Sequence, residues 1–148
     1  MAGESSTTIP RSPGALDESA VAALGASFRG ELIGPADAGY DQARTIYNAM
    51  IDRRPGLIAR CRDVADVIAA VNFARERNLL LAVRSGGHNG PGLALCDDGI
   101  VVDLSAMKGI RVDHTHRTVR VESGCCWGDV DHAAHPFGLA VPTGIIST

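Results

Sequence analysis

The chain has 148 residues, 45% of them apolar and 21% charged, with a net charge of −3, which suits one domain with a real core and excludes a disordered segment. No basic concentration draws it toward nucleic acid or anionic lipid, and no apolar stretch approaches the ~18 residues of a membrane span. The N-terminus lacks a signal-peptide pattern and the four cysteines show no CxxC spacing, so a cytoplasmic protein with free thiols is expected. Glycine is the outlier: 17 residues, roughly 11% against a typical ~7%, point to tight turns or close backbone approaches.

Residues 1–15 read as a polar, flexible start, and the remainder as a single folded unit. A helix is expected from Leu16 to Phe28, with Leu16, Ala20, Ala23 and Leu24 on one face. The following stretch reads as irregular, with one short helix between Tyr40 and Met50. From Leu57 the pattern sharpens. "LIARC" predicts a strand, Asp63 is placed to cap a helix, and Val64, Val67, Ile68, Val71 and Ala74 repeat at helical spacing as its candidate core face. "LLLAVR" predicts a second strand, buried on both faces, which completes a strand-helix-strand unit. "GIVVDLS" is another strand, and "GIRVDH" and "TVRVES" form a hairpin turned at Thr115 to Arg117. "WGDVDHAAHPFG" is helical, with Gly138 as its stop.

"VRSGGHNGPG", residues 83 to 92, stands at the carboxyl end of the second strand of that unit. Successive backbone N–H groups in such a turn converge on a nest for phosphate oxygens, and glycines let a diphosphate approach the main chain. Carboxyl ends of strands are also where α/β sheets hold ligands. The stretch is neither a GxGxxG fingerprint nor a GxxxxGK[ST] loop, and taken alone a Gly-Gly stretch after a strand is more often an ordinary turn.

"RSGGHN" after an apolar strand, then "GIVVDLSAMKGIRVD", "VESGCCWGDV" and "FGLAVPTGIIST" in this order resemble the FAD-linked oxidases of the vanillyl-alcohol oxidase and p-cresol methylhydroxylase superfamily, in particular its berberine-bridge-enzyme-like branch. The resemblance runs from about Phe28 to Thr148. It implies an α+β fold, the FAD-binding domain of the p-cresol methylhydroxylase type, with residues 16–148 supplying its first subdomain and the start of the second. The substrate domain would lie elsewhere.

In that family the histidine of "GGH" is commonly joined to the 8α-methyl carbon of FAD, and the matching residue is His88. The imidazole of a neutral histidine is a suitable nucleophile for that carbon. By the same resemblance the main chain of Arg84, Ser85, Gly86, Gly87, His88, Asn89 and Gly90 would wrap the diphosphate. Pro142, Thr143 and Gly144 match a second cofactor-contacting stretch, which continues through Ser147 and Thr148. A second tether, a cysteine found in some members, corresponds to Ile146 here, so single attachment is expected. Cys125 and Cys126 read as small buried residues at a helix start, Trp127 as a core anchor, Asp103 as a strand-end turn residue and Asp129 as a surface acid. His114 and His116 flank an exposed turn, and no metal site is expected.

The implied function is the FAD-binding portion of an oxidoreductase that passes a hydride from an alcohol or C–H group of a small-molecule substrate to FAD, with dioxygen as acceptor. The catalytic residues lie outside the matched motifs. Two alternatives stay open: a non-catalytic module binding a nucleotide or a partner, and an inactive fragment. The expected incompleteness leaves room for a second polypeptide that completes the fold.

Overall fold

The computed structural model describes residues 16–144. Ten regular elements run in the order α1 (Glu18–Gly25), β1 (Glu31–Ile33), α2 (Tyr40–Ala43), β2 (Leu57–Arg60), α3 (Val64–Glu76), β3 (Leu81–Arg84), β4 (Ile100–Asp103), β5 (Ile110–Asp113), β6 (Thr118–Val121) and α4 (Trp127–Ala134), the last followed by a 3-10 turn at His135–Phe137. The α+β expectation holds. One sheet has four strands in the order β1-β2-β4-β3, and β5 and β6 form a separate hairpin.

β4 is the centre of the larger sheet. It pairs in parallel with β2 on one side and β3 on the other, and its residues Ile100, Val101, Val102 and Asp103 are all buried. The unbroken apolar run is what a strand covered on both faces requires. Alternate residues feed two cores. Leu57, Ala59, Ile100 and Val102 face α1 and α3. Ile58, Ala82 and Val101 face Tyr40, Ala43, Leu95 and Cys96.

Asp63 caps α3 as expected, its carboxylate accepting the N–H of Asp66 at 3.1 Å. The helix is rotated relative to the expected face. Asp66, Ala70, Phe73 and Ala74 are buried, whereas Val64, Ile68 and Val71 are exposed. Asp66 accounts for this phase: its buried carboxylate accepts the N–H of Arg29 at 2.8 Å and of Arg62 at 2.9 Å, so it must face inward. Two alanines on the same side then let the helix approach the sheet closely.

Three further expectations are corrected. β3 is an edge strand rather than one buried on both faces, with Val83 53% exposed, because β4 inserts between β2 and β3 instead of outside them. The helix expected over Tyr40–Met50 stops at Ala43. Arg44 is drawn away into ion pairs with Asp41, at 2.8 Å, and Asp52, and the chain turns toward the glycine loop. β1 formed no part of the expected pattern; it pairs antiparallel with β2, Glu31 opposite Arg60, and their side chains bridge at 2.7 Å.

The hairpin turn is held by Asp113, which accepts the N–H groups of Thr115 and His116 at 3.1 and 3.0 Å. α4 packs against β5 through buried Val130 and Ala134, and Gly138 ends the helical stretch at φ +64°. Among the described residues no helix is long and apolar enough to cross a membrane.

Candidate functional site

The loop that follows β3 lies at the carboxyl ends of the three parallel strands, beside a cleft of about 460 Å³ lined by Gln42, Thr45, Arg60, Ser85, Gly86 and Gly87, among others. Its root is a buried ion pair. Arg84 ends β3, Asp103 ends β4 in register with it, and their side chains meet at 2.6 Å. Arg60, which ends β2, reaches the same carboxylate oxygen at 3.2 Å. Burial by itself would raise the pKa of Asp103; the hydrogen bond and charge of Arg84 overcome it, and the carboxyl is held below its ordinary value. The other carboxylate oxygen accepts the N–H of Ser105 at 3.0 Å. Asp103 is therefore a strand-end residue, as expected, but one that organises three arginine and backbone partners.

Arg84 also donates to the carbonyls of Ala43 and Thr45. Its side chain is thereby committed to protein partners, and its main-chain carbonyl accepts the N–H of Leu104 at 2.8 Å. The segment it holds runs beneath the loop. Tyr47 N–H donates to Gly87 O at 3.3 Å, and the Asn48 side-chain amide donates to Gly90 O at 3.0 Å. Ile46 packs under Gly87, which adopts φ +70°. Asn89 closes the loop from within, its side-chain carbonyl accepting Leu93 N–H at 2.9 Å and its main-chain carbonyl accepting Gly92 N–H at 3.1 Å.

These bonds take up the carbonyls of Gly87, Asn89 and Gly90 and leave the loop's N–H groups. Within residues 16–144 no protein acceptor receives the main-chain N–H of Gly86, Gly87, His88, Asn89 or Gly90. Consecutive N–H groups left without protein partners beside a left-handed glycine are free to donate to an anionic oxygen cluster. His88 projects from the middle of the loop, exposed, its ring centroid 5.3 Å from that of Tyr47.

The second predicted stretch is placed through another route. Ser85 donates its hydroxyl to Ser123 O, which joins the loop to the turn before α4. Pro142, Thr143 and Gly144 are exposed beyond the 3-10 turn, and a Cβ on Gly144 would stand 3.3 Å from the indole nitrogen of Trp127. Trp127 is itself 37% exposed and so flanks this stretch instead of anchoring the core. Ile146, Ser147 and Thr148 lie outside the described residues. Cys126 is the N-cap of α4, its N–H donating to Asp129 at 2.8 Å, and both Cys125 and Cys126 are half-buried instead of buried. Asp129 also meets Lys108 at 3.4 Å. His114 stacks on Phe137 with ring centroids 5.3 Å apart, and His116 meets Asp113 at 2.8 Å.

The brace formed by Ile46, Tyr47 and Asn48, and the pairing of Arg84 with Asp103, escaped the sequence reading. The second had a usable signal: two apolar strands ending in opposite charges, "LAVR" and "IVVD", place those charges side by side if the strands are parallel neighbours.

Residues 55–148 match the family described as FAD binding domain. The chain is 42% identical over 119 residues to (R)-6-hydroxynicotine oxidase of Paenarthrobacter nicotinovorans, covering 80% of this chain and 26% of that protein. Among solved structures it resembles 6-hydroxy-D-nicotine oxidase from Arthrobacter nicotinovorans, with a TM-score of 0.78 at 41% identity, covering 82% of this chain and 27% of that one. It also resembles a variant of the BBE-like 1 protein of Physcomitrella patens, with a TM-score of 0.70 at 25% identity, covering 79% and 26%. The chain thus spans about a quarter of the length of the relatives it matches.

Proposed function

Because this chain belongs to the FAD binding domain family, with FAD-linked oxidoreductases as its relatives, we propose that it is the FAD-binding portion of a flavin-dependent oxidase. The four-stranded sheet is the first subdomain, and the β5–β6 hairpin with α4 begins the second.

The observation that carries this reading is the run of N–H groups from Gly86 to Gly90 around the positive φ of Gly87. A diphosphate seated there meets donors already fixed in place by Tyr47, Asn48 and Asn89, so little ordering is left for binding. The proposed roles are as follows: Ser85 to Gly90 hold the diphosphate through their main chain, His88 is bonded to the 8α carbon of the flavin, and Pro142, Thr143, Gly144, Ser147 and Thr148 flank the cofactor. Bound FAD would supply the acceptor for a hydride from an alcohol or C–H group of a small-molecule substrate, with dioxygen reoxidising it. The protein contributes orientation, charge and exclusion of water.

The test is the absorbance spectrum of the purified chain after incubation with FAD, followed by flavin fluorescence on a denaturing gel. A yellow protein whose fluorescence stays with the band is the expected result. Protein that neither retains FAD through gel filtration nor quenches its fluorescence on titration overturns the reading.

A further inference from the structure

His88 sits in a slot made by two residues with no assigned role in attachment. On one side is Gly86: a Cβ there would stand 2.9 Å from Cδ2 of His88, so only glycine leaves the ring its present place. On the other is the Tyr47 ring, tilted at 41° with centroids 5.3 Å apart, within the range of aromatic pairing. Tyr47 is 74% exposed and Met50, three residues on, is 87% exposed, so the Tyr47 ring is not held in a core. Its backbone is nevertheless fixed, through its N–H to Gly87 O and through the hold of Arg84 on the Ala43 and Thr45 carbonyls before it.

We propose that Tyr47 is a positioning residue that, with Gly86 opposite, sets the plane of the His88 imidazole for bond formation to the flavin. The inference rests on His88 being the tether, as proposed above. An imidazole nitrogen attacks along its lone pair, which lies in the ring plane, and a freely rotating ring at an exposed position presents that lone pair in every direction. Contact with the tilted Tyr47 ring on one side and with Gly86 on the other restricts those orientations before the cofactor arrives. In the step itself, an N–C8α bond forms while the imidazole N–H proton and one methyl hydrogen leave. The two electrons released pass to the isoalloxazine and then to dioxygen, which departs as hydrogen peroxide.

The idea predicts a separation of attachment from binding. Tyr47→Ala keeps the main-chain bond to Gly87 and should still load FAD, yet at saturating FAD form the covalent bond about ten- to a hundredfold more slowly. Tyr47→Phe, which keeps the ring, should match the parent chain. Gly86→Ala should slow attachment by moving the imidazole. The experiment follows covalent flavin against time in the full chain incubated with FAD, and affinity by fluorescence titration. The histidine ring proton shifts of each variant are read by NMR without cofactor. His88 proton shifts displaced by the Tyr47 ring in the parent and in Tyr47→Phe, and lost in Tyr47→Ala, are expected. Equal attachment rates in all variants, or His88 shifts indifferent to the loss of the tyrosine ring, overturn the proposal and leave the tether standing. FAD bound by the parent without any covalent product overturns the tether, and the proposal with it.

Discussion

Arg84 Nη2 and Asp103 Oδ2 stand 2.6 Å apart at the carboxyl ends of adjacent parallel strands, both side chains shielded from water. The pair reaches both sides of the glycine loop's root, since Arg84 grips the segment that braces the loop and Asp103 seats Ser105 behind it.

Removing one partner of such a pair leaves a buried charge without compensation, at a cost of about 3–5 kcal/mol. Asp103→Asn should therefore lower the unfolding free energy by about 3 kcal/mol in urea titration at pH 7. The carboxyl of Asp103 is held below the ordinary value of 3.8, so its contribution is present above that value and lost as pH falls through the lower folded value. The gap between parent and variant should be flat from neutral pH down to about 5 and close only below about 4. A gap that narrows between pH 7 and 5 contradicts the assignment.

At Gly87 the constraint is conformational. With φ at +70° and Ile46 directly beneath, an alanine would carry the left-handed cost of about 1–2 kcal/mol. Gly87→Ala should unfold at correspondingly lower urea and, on the proposed main-chain cradle, bind FAD more weakly, because relief of the strain changes the loop's backbone. Unchanged FAD affinity in this variant would argue against a main-chain cradle.

The cysteines divide into two pairs. Burial pushes the Cys61 thiol up to about 12 and Cys96 up to about 11, so both stay protonated as well as inaccessible at ordinary pH. Cys125 and Cys126 are only half-buried. A thiol reagent at pH 8 should titrate two groups in the native chain and four after denaturation. A native count of four would show that the two cores open readily.

His88→Ala concerns chemistry rather than stability. The residue is exposed, so the variant should unfold within about 0.5 kcal/mol of the parent. Any flavin it carries should be released by acid, whereas the parent keeps its flavin. Acid-stable flavin in the variant assigns the tether to another residue.

Local chemistry was legible where a side chain acts on its own neighbourhood. Asp63 announces the start of α3, the alternation of "GIRVDH" and "TVRVES" announces the hairpin, and Gly138 marks the end of the α4 stretch. Features decided by distant partners were hidden. The pattern of Val64, Ile68 and Val71 does not reveal that Asp66 turns them outward, because one of its two partners, Arg29, comes from a segment 37 positions away. β1 is only three residues long and exists because β2 offers it an edge. The edge position of β3 follows from where β4 inserts, 16 positions after β3 ends. The glycine loop itself stood out in the sequence, but the brace from Ile46 to Asn48 did not, since its bonds to the loop are main-chain or long-range.

The insertion of β4 between β2 and β3 also orders events in time. β2, α3 and β3 emerge before β4 in synthesis, yet β2 and β3 have no ladder with each other and are separated by the width of a strand. Until Ile100–Asp103 leaves the ribosome and fills that gap, Arg84 lacks its carboxylate and the segment before Tyr47 lacks its clamp. Contacts across such separations close late, after the loop entropy between them has been overcome. The glycine loop, although translated before β4, is therefore among the last parts of this sheet to acquire its shape, and it is complete only once the central strand is in place.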